Sequence, residues 1–374
     1  MNSLLSKNLS FFLTYNSSLS NWHKSGLLSR EIAPYNELAK HLNKIYIFSY
    51  ADKKDLEFKY LLESNIKIIT KPKIIPSRLY KFIAPFIHFK IIRKSHLLKT
   101  NQMSGAQTAI MAKLINPKAK LIIRTGYTVS LFNKQANQDN TLIKKLERNA
   151  YKKCDLALVT SKADKEYLLK NYPIKNNKIE VVTNYIDTKK FKPEKINKYS
   201  HKIIFVGRAF DPQKNITSLI DALKKTDLEL DIIGQDKNTT KLKDQAKTKN
   251  VTINFLGTTP NEKLPEILNQ YKIFVLPSLY EGMPKALLEA MSCGLACIAT
   301  NVAGNQEVIK NNENGLLCET SSQSLKEVIT NLINNQILIN KLGQNARQYI
   351  IQNFSLEEKI KDEIEIYKNI ISKD

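Results

Sequence analysis

Two glutamates, Glu281 and Glu289, stand with seven residues between them in the segment 277–293, which reads PSLYEGMPKALLEAMSC. The apolar run KIFVL before this segment predicts a buried strand, and the apolar residues after Pro284 have helical spacing. We expect Pro284 as the first helical residue, with Glu281 and Gly282 in the preceding loop. A helix amino end presents free N–H groups to phosphate oxygens. The pattern therefore predicts a site for a phosphorylated ligand, with Glu281 accepting hydrogen bonds from sugar hydroxyls.

Glu289 lies about one and a half turns into the predicted helix, deeper than Glu281. One interpretation is a solvated carboxylate on an ordinary helix. The other is a carboxylate that reaches the ribose of a bound nucleotide. Apolar residues surround Glu289 in the sequence and favour the second interpretation: Leu287, Leu288, Ala290 and Met291.

A second strand-to-loop junction, 203–214, reads IIFVGRAFDPQK and carries two cations. Gly207 ends the predicted strand and lets backbone come close to a ligand. Arg208 and Lys214 then lie at the carboxyl edge of a parallel sheet, where such folds bind ligands. An arginine that grips two oxygens and a mobile lysine suit a diphosphate. Two solvated surface cations in a lysine-rich chain are an equally good interpretation of these residues alone.

Short apolar runs alternate with segments of helical spacing from end to end. The strands predicted in the first half are SFFLT, KIYIFS, IKIIT, KLIIR, DLALVT and IEVVT. Those predicted in the second half are KIIFVG, LELDIIG, TINFLG, KIFVLPS, LACIAT and GLLCE. Helices are predicted at 29–42, 104–114 and 141–153. Continuous apolar runs indicate parallel strands buried on both faces, so the fold class is α/β, with two Rossmann-like doubly wound domains and a cleft between them.

The length of 374 residues also predicts two domains, because it exceeds what one compact core supports. The segment 187–202 is rich in lysine and lacks apolar periodicity, so we interpret it as a linker or hinge. We expect a first domain over 1–188 and a second over 202–354. A terminal helix over 355–374 begins with a capping box of Ser355 and Glu358, and we consider that it packs back on the first domain.

The net charge of +23 fits a partner made of nucleic acid, anionic lipid or phosphorylated substrate. Lysines are spread through the whole chain, however, and no zinc finger or RNA-reading aromatic motif occurs. We therefore expect no nucleic acid partner and leave an anionic membrane surface open.

Four cysteines are too few for a disulfide scaffold and lack the partners of a zinc site. We interpret them as buried small apolar residues: Cys154, Cys293, Cys297 and Cys318. The sequence has no apolar run long enough to cross a membrane, and its first residues do not resemble a signal peptide. A cytoplasmic location is the expectation.

The segment 78–94, RLYKFIAPFIHFKIIRK, combines positive charge with an apolar stripe at helical spacing. The stripe consists of Leu79, Phe82, Ile83, Phe86 and Ile87. It fits an interfacial membrane helix with aromatic anchors. It also fits a helix that covers the first sheet while its lysines extend outward. Pro85 would kink or interrupt either helix.

Together these segments resemble the family-4 (group 1) retaining glycosyltransferases of the GT-B fold. The PS-x-x-E-G turn followed by Glu289 resembles the donor motif of that family. VGR…K at 206–214 resembles its diphosphate-gripping loop, and FLGTTPNEKLPEIL followed by YKIFVLPS resembles its approach to the donor site. VVTNYIDTKKF resembles its link between domains, with Asn184, Asp187 and Phe191 in place. The resemblance is specific over 180–319 and mainly topological before residue 180.

The resemblance implies a role for individual residues. Arg208 and Lys214 would neutralise the donor diphosphate and the charge developing on the leaving nucleotide, and Glu281 would hold hydroxyls of the transferred sugar. We take these three as catalytic. Glu289 would hold the ribose, and the amides of Ala286 and Leu287 would contact phosphate. The complete predicted donor site is Gly207, Arg208, Lys214, Glu281, Gly282, Met283, Ala286, Leu287 and Glu289.

The acceptor side departs from the family. Many members carry a histidine at the end of a strand in the first domain, whereas here LIIR runs into Thr-Gly-Tyr. Arg124 and Tyr127 are the candidates for that position. Arg30 is a candidate for an anionic acceptor, near the start of a helix that Ser29 would cap, although packing or solvation explains Arg30 equally well.

These observations predict a hexosyltransferase-type enzyme that needs no metal and no cofactor. It would move a sugar from a nucleotide-diphosphate-sugar to a lipid-linked or polysaccharide acceptor in cell-envelope synthesis, such as that of lipopolysaccharide or capsule. It would work in the cytoplasm, with peripheral attachment to the inner face of the membrane left open. The alternatives are a nucleotide-sugar epimerase of the same fold and a basic, non-enzymatic binding protein.

Overall fold

A computed structural model of the protein describes residues 4–136, 138, 140–210, 212–234 and 239–372. The chain divides into a first unit, Met1–Thr183 with Lys359–Asp374, and a second unit, Asn184–Glu358. The segment 187–202, predicted as a linker, belongs to the second unit. Phe191 is 1% exposed and lies in the core of that unit, so part of this segment is packed.

The first unit contains a seven-stranded parallel sheet in the order β3-β2-β1-β4-β5-β6-β7. Its strands are β1 Asn8–Phe12, β2 Lys44–Phe48, β3 Ile66–Ile69, β4 Leu97–Thr100, β5 Lys120–Arg124, β6 Leu156–Val159 and β7 Ile179–Val181. The chain winds outward from β1 in one direction and from β4 in the other, as expected for a doubly wound fold.

Helices cover this sheet. In the described residues they are α1 Leu19–Lys24, α2 Leu28–Ala39, α3 Ser77–Ile87, α4 Phe89–Arg93, α5 Ala106–Ile115, α6 Val129–Gln135, α7 Thr141–Lys153 and α8 Lys162–Asn171. The predicted bounds of α7 are confirmed, and Asn140 caps it by accepting a hydrogen bond from the Ile143 amide at 3.2 Å. The prediction that Ser29 caps α2 is wrong, because the helix begins at Leu28 and already includes Ser29.

Strand β4 was not predicted, and it carries a buried ion pair. Lys99 on this strand is 2% exposed and pairs with Glu363, whose carboxylate also accepts a hydrogen bond from the Tyr367 hydroxyl. Burial lowers the pKa of Lys99. Burial acts most strongly on Glu363 and raises its pKa, but the Lys99 charge and the hydrogen bonds from Lys99 and Tyr367 together hold the pKa of that carboxyl below its usual range. Glu363 and Tyr367 lie on the last helix, α16 Leu356–Ile371, whose residues from Lys359 onward belong to the first unit.

The second unit contains a six-stranded parallel sheet in the order β10-β9-β8-β11-β12-β13. Its strands are β8 Lys202–Val206, β9 Glu229–Ile233, β10 Ile253–Phe255, β11 Ile273–Leu276, β12 Ala296–Thr300 and β13 Leu316–Cys318. The helices found among its described residues are α9 Ile216–Ala222, α10 Thr240–Lys249, α11 Leu264–Asn269, α12 Lys285–Ser292, α13 Ala303–Gln306, α14 Ser322–Ile333 and α15 Gln336–Phe354. All six strands predicted for this half are confirmed, as is the α/β fold class.

Ser355 connects α15 to α16, and its hydroxyl accepts a hydrogen bond from the Glu358 amide at 3.4 Å, which is one half of the predicted capping box. The four cysteines are buried free thiols. Burial raises the pKa of Cys154 and Cys293 to about 12, so both are uncharged at neutral pH. Among the described helices, none is both long enough and apolar enough to span a membrane.

Candidate functional site

The predicted donor residues of the second unit meet at one edge of its sheet. Strands β8 and β11 are neighbours, and from this pair the chain proceeds outward in opposite directions. The loops that follow them, 207–215 and 277–284, therefore leave the sheet side by side at its carboxyl edge. Such a reversal of strand order opens a crevice where doubly wound domains bind ligands.

Lys214 and Glu281 are in contact at this crevice. The Nζ atom of Lys214 lies 2.5 Å from Oε1 of Glu281, and the Ser278 hydroxyl donates to the same oxygen at 2.6 Å. Their side chains are 14% and 7% exposed, so solvent screens the pair only partly. The lysine predicted for the diphosphate and the carboxylate predicted for the sugar thus form one unit, which keeps Glu281 oriented by two donors.

Gly207 and Arg208 begin the loop 207–215, which also carries Lys214. A Cβ atom at Gly207 would lie 2.9 Å from the Phe205 ring, so a larger residue would displace that ring, whereas the 3.8 Å to Cε of Lys214 is an ordinary van der Waals contact. Arg208 is exposed. An exposed arginine on the loop that also carries Lys214 can approach a diphosphate from the solvent side.

Hydrogen bonds that the sequence did not reveal hold the two loops together. The Leu279 amide donates to the Gln213 carbonyl at 2.8 Å, and the Gln213 side chain donates to the Tyr280 carbonyl at 2.6 Å. Asn215 has a left-handed backbone with φ of 53°, and its side-chain amide donates to the Pro277 carbonyl at 3.1 Å. These bonds fix the position of Glu281 relative to Lys214.

Gly304 supports the Glu281–Gly282 turn from the other side. A Cβ atom at this position would lie 2.2 Å from the Gly282 carbonyl oxygen and 2.5 Å from that of Glu281. Any side chain there would push the turn away. The Thr300 hydroxyl also donates to the Ser278 carbonyl. Sequence reasoning missed Gly304 because its contact partners lie more than twenty residues away in the chain.

Met283 is anchored by Asn184. The Asn184 side chain donates to the Met283 carbonyl at 2.8 Å, and both residues are 5% exposed. Asn184 was singled out in the sequence as part of the interdomain motif. Its observed role is to hold the end of the loop that carries Glu281.

Helix α12 begins one residue later than predicted. Pro284 is the capping residue, with an extended backbone at φ −75° and ψ 110°, and the helix runs from Lys285 to Ser292. The prediction of Pro284 as the first helical residue is therefore wrong by one position. Ala286 and Leu287 lie in the first turn, where amides have no acceptor within the helix. Their N–H groups therefore have the orientation that phosphate binding requires.

Glu289 is 2% exposed, so it is not a solvated carboxylate on a surface helix. The Asn261 side chain donates to its Oε1 at 2.9 Å, and Lys190 Nζ in turn donates to Asn261 Oδ1 at 2.9 Å. This relay of polar groups from residues far apart in sequence was not predicted. A ribose that binds Glu289 must join or replace the bond from Asn261.

The predicted acceptor-side residues lie in the first unit. Arg124 ends β5, and its guanidinium donates to the Asn101 carbonyl at 3.3 Å. Tyr127 is 41% exposed, and its ring lies 4.5 Å from that of Phe132. Arg30 is half-buried on α2 and lies 3.3 Å from Glu31. Each of the three therefore has a local structural contact within the first unit.

The apolar stripe of α3 is exposed. Four of its five members, Leu79, Phe82, Phe86 and Ile87, are 50%, 40%, 53% and 43% exposed, and Ile83 is half-buried. The opposite face is buried, with Tyr80 at 1% and Ala84 at 0%. These exposures contradict packing of the whole stripe against the first sheet. Pro85 lies inside α3, which ends two residues later at Ile87.

Two family models match the chain. Residues 186–349 match the model described as glycosyl transferases group 1, and residues 35–190 match that of glycosyltransferase family 4. An uncharacterised glycosyltransferase of Methanocaldococcus jannaschii is 27% identical over 90% of this chain and 94% of its own length. An Escherichia coli UDP-Gal:alpha-D-GlcNAc-diphosphoundecaprenol alpha-1,3-galactosyltransferase is 31% identical over 59% of this chain and 62% of its own length.

Solved structures show the same fold. Sucrose-phosphate synthase of Thermosynechococcus elongatus matches with a TM-score of 0.83 at 18% identity, covering 98% of this chain and 100% of that one. Anabaena HepE in complex with UDP and glucose matches with a TM-score of 0.78 at 18% identity, covering 97% and 100%. With the two family models and the two parallel sheets, these matches show that the chain belongs to the group 1, family-4 glycosyltransferases of the GT-B fold.

Proposed function

We propose that this glycosyltransferase moves a sugar from a nucleotide-diphosphate-sugar to a lipid-linked acceptor, with retention of anomeric configuration and without a metal. The observation that carries the proposal is the Lys214–Glu281 pair at the crevice between β8 and β11, with Ser278 on the same carboxylate oxygen. A cation for the diphosphate and an oriented carboxylate for the sugar are thereby held 2.5 Å apart.

The arrangement has a direct chemical use. Sugar transfer breaks the bond between the anomeric carbon and the diphosphate oxygen, so negative charge grows on the leaving nucleotide. Lys214 has three N–H donors and uses one on Glu281, which leaves others for diphosphate oxygens. Arg208 adds a planar fork from the exposed side, and the first-turn amides of α12 add neutral donors. Fixed donors of this kind stabilise the developing charge, which is the task a metal performs in other sites.

Glu281 and Glu289 would divide the recognition of the donor. The loop carboxylate of Glu281 accepts hydrogen bonds from hydroxyls of the transferred sugar, while buried Glu289 binds the ribose. Among the described residues, no group of three or more histidine, cysteine, aspartate or glutamate side chains is arranged to hold a metal. We assign the charge stabilisation to Arg208, Lys214 and the helix amides.

The acceptor class is supported by relatives and by the surface of the first unit. The galactosyltransferase of Escherichia coli is named for a diphosphoundecaprenol acceptor. The exposed stripe of α3 is flanked by exposed cations, among them Arg78, Lys90, Arg93 and Lys94. Aromatic anchors with surrounding lysines are typical of a helix that lies in an anionic membrane interface. We propose that α3 brings the enzyme to the membrane surface where a lipid-linked acceptor resides.

A thermal-shift panel of UDP-, GDP- and ADP-sugars tests the donor. A ligand at about a hundred times its Kd adds about 2.7 kcal/mol, which corresponds to roughly 5–10 °C for a domain of this size. No shift with any member of the panel would contradict the assignment. Transfer is then assayed with the stabilising donor and a polyprenyl-diphosphate-sugar acceptor.

Glu281→Gln should lower turnover by about a hundredfold or more, because one oriented acceptor of the sugar loses its charge. Glu313→Gln, an exposed glutamate of the same unit, is the matched control and should leave turnover unchanged. Conversion of the nucleotide-sugar without any acceptor would favour an epimerase instead.

A further inference from the structure

A pocket of 380 Å³ in the first unit lies outside every site described above. It is lined by the loops that follow β1, β2 and β3, with Asn16, Tyr50 and Lys71 contributing one residue from each. These strands are neighbours in the sheet. The pocket therefore sits at the carboxyl edge of a parallel sheet, where domains of this architecture bind ligands.

Four lysines line the pocket: Lys24, Lys54, Lys71 and Lys73. Within the part of the chain that the structure describes, none of the four forms an ion pair. One carboxylate residue, Asp52, also lines the pocket, and it accepts a hydrogen bond from the Lys54 amide at 3.1 Å. Four cations thus face a single carboxylate.

The loops that carry these lysines are tied to one another. The Lys71 amide donates to the Ala51 carbonyl at 2.8 Å, which joins the loop after β3 to the loop after β2. Lys71 Nζ donates to the Ile75 carbonyl at 2.7 Å, so its side chain is held in place. One of the four ammonium groups, that of Lys71, therefore has a defined position.

Lysine is abundant in this chain, so a single exposed lysine is not evidence for an anion-binding site. Convergence of four of them on one concave site is different, because like charges repel and a concave, low-dielectric wall concentrates their field. An anion with several oxygens relieves that repulsion. Lysine ammonium groups bind phosphate as point charges, and one phosphate or diphosphate can accept from several of them at once.

One wall residue of the pocket packs against α3. The Tyr50 ring, in the pocket wall, packs edge-on against Tyr80 on the buried face of α3 with 5.6 Å between centroids. Ile75, which Lys71 holds, is two residues from the start of α3 and is followed by the exposed apolar stripe. The pocket and the exposed stripe therefore lie close together along the chain, as a ligand with a phosphorylated head and an apolar chain would require.

We propose that this pocket binds the phosphate or diphosphate group of a lipid-linked acceptor. The identity of the acceptor rests on the proposed function, whereas binding of the anion does not. The assignment adds residues to the acceptor side that differ from Arg30, Arg124 and Tyr127, none of which lines the pocket.

Calorimetric titration with inorganic pyrophosphate tests anion binding. The wild-type protein should bind two equivalents, one in the pocket and one at the donor crevice. The pocket variant Lys24→Gln, Lys54→Gln, Lys73→Gln changes only exposed lysines and should retain only the crevice site. The pocket affinity should fall at least about tenfold, since several charge-assisted hydrogen bonds are lost.

Two further variants separate this proposal from the proposed function. Arg208→Ala with Lys214→Ala should remove the crevice site and leave the pocket site. Lys152→Gln, Lys153→Gln, Lys170→Gln carries the same change of net charge on exposed positions of the same unit and should still bind two equivalents. Equal binding by the pocket variant and this control would overturn the pocket assignment, whatever the crevice does. Loss of the crevice site alone would leave the pocket assignment unaffected.

A last arm distinguishes a lipid headgroup from free phosphate. Phosphatidylcholine vesicles containing a polyprenyl diphosphate should displace pyrophosphate from the pocket of the double variant Arg208→Ala, Lys214→Ala. In transfer assays the pocket variant should raise the KM for the polyprenyl-diphosphate-sugar at least about tenfold, with the donor KM unchanged. Pyrophosphate that binds but resists displacement by these vesicles would overturn the lipid-linked ligand.

Discussion

Glu363→Gln removes one charge from the ion pair between β4 and α16 and leaves the shape of the side chain nearly unchanged. Lys99 is 2% exposed, and its ammonium also lies 5.5 Å and 5.7 Å from the ring centroids of Tyr35 and Tyr367. These rings attract the cation weakly compared with a carboxylate. The variant therefore leaves a buried ammonium without its counter-charge, and the first unit should become much less stable.

The expected loss follows from the burial of both partners. Removing one member of a buried pair costs about 3–5 kcal/mol, against about 0–1 kcal/mol for an exposed pair. For a unit of this size, 1 kcal/mol shifts the melting temperature by about 2–4 °C, so the first unit should melt roughly 6–20 °C lower. Lys99→Met combined with Glu363→Gln removes both charges and should lose less stability than Glu363→Gln alone.

Differential scanning calorimetry of the three proteins gives these numbers, and hydrogen exchange shows whether α16 is the element released. Lys359→Gln, which alters an ion pair with Asp362 within the same helix, is the control and should change stability by less than about 1 kcal/mol. If Glu363→Gln has the same melting temperature as the control, the inference that the variant leaves a buried Lys99 ammonium without compensation is refuted.

The pH dependence has a defined sign. The pKa of Glu363 is lowered in the folded state, because the Lys99 charge and the hydrogen bonds from Lys99 and Tyr367 together exceed the opposing effect of burial. Its contribution to stability is therefore complete above the unfolded pKa of about 4.3 and disappears as pH falls through the folded value. The pKa of Lys99 is lowered by burial, so the unfolded state binds more protons there and stability rises with pH as Lys99 deprotonates. Glu363→Gln should flatten the acid part of the profile.

Three other variants address the donor crevice and the membrane face. Gly304→Ala should weaken nucleotide-sugar binding about tenfold or more in calorimetry, because its Cβ would lie 2.2 Å from the Gly282 carbonyl oxygen and displace the turn; unchanged affinity would contradict the support role. Phe82→Ser with Phe86→Ser should abolish co-sedimentation with anionic liposomes without lowering the melting temperature, whereas Ile337→Ser, 84% exposed on α15, should change neither. Asn261→Ala should cost about 1–3 kcal/mol of stability and weaken nucleotide binding, since it leaves a buried carboxylate short of a donor; wild-type values for both would contradict the relay.

The strands of the second unit were predictable because each is a continuous apolar run between turn residues. Strand β4 was not predicted because it lacks such a run. It has four residues, and one of them is Lys99, a residue type that is usually exposed. Its burial depends on Glu363, 264 positions later in the chain. Hydrophobic pattern is a local property of the sequence, whereas a buried ion pair depends on contacts that only the fold creates.

The same division applies to the site. The types and spacing of Glu281 and Glu289 were sufficient to predict a donor loop and a helix amino end. The pairing of Glu281 with Lys214 could not be predicted, since 67 positions separate the two residues in the chain. The exposed stripe of α3 was visible as a pattern, but periodicity cannot tell a face that meets a sheet from one that meets solvent. The exposure of the stripe, together with the burial of Tyr80 and Ala84 on the opposite face, decides it.

Different interactions form the donor crevice and the proposed acceptor pocket. Backbone hydrogen bonds and the close approach of Gly304 hold the donor crevice, and its central pair is at most 14% exposed. The acceptor pocket relies on Lys24, Lys54 and Lys73, all exposed. Salt screens exposed charges over about 10 Å at 0.1 M but affects partly buried groups much less. Raising ionic strength should therefore increase the acceptor KM while the donor KM changes little, and an equal response of both would mean that the pocket lysines do not bind the acceptor.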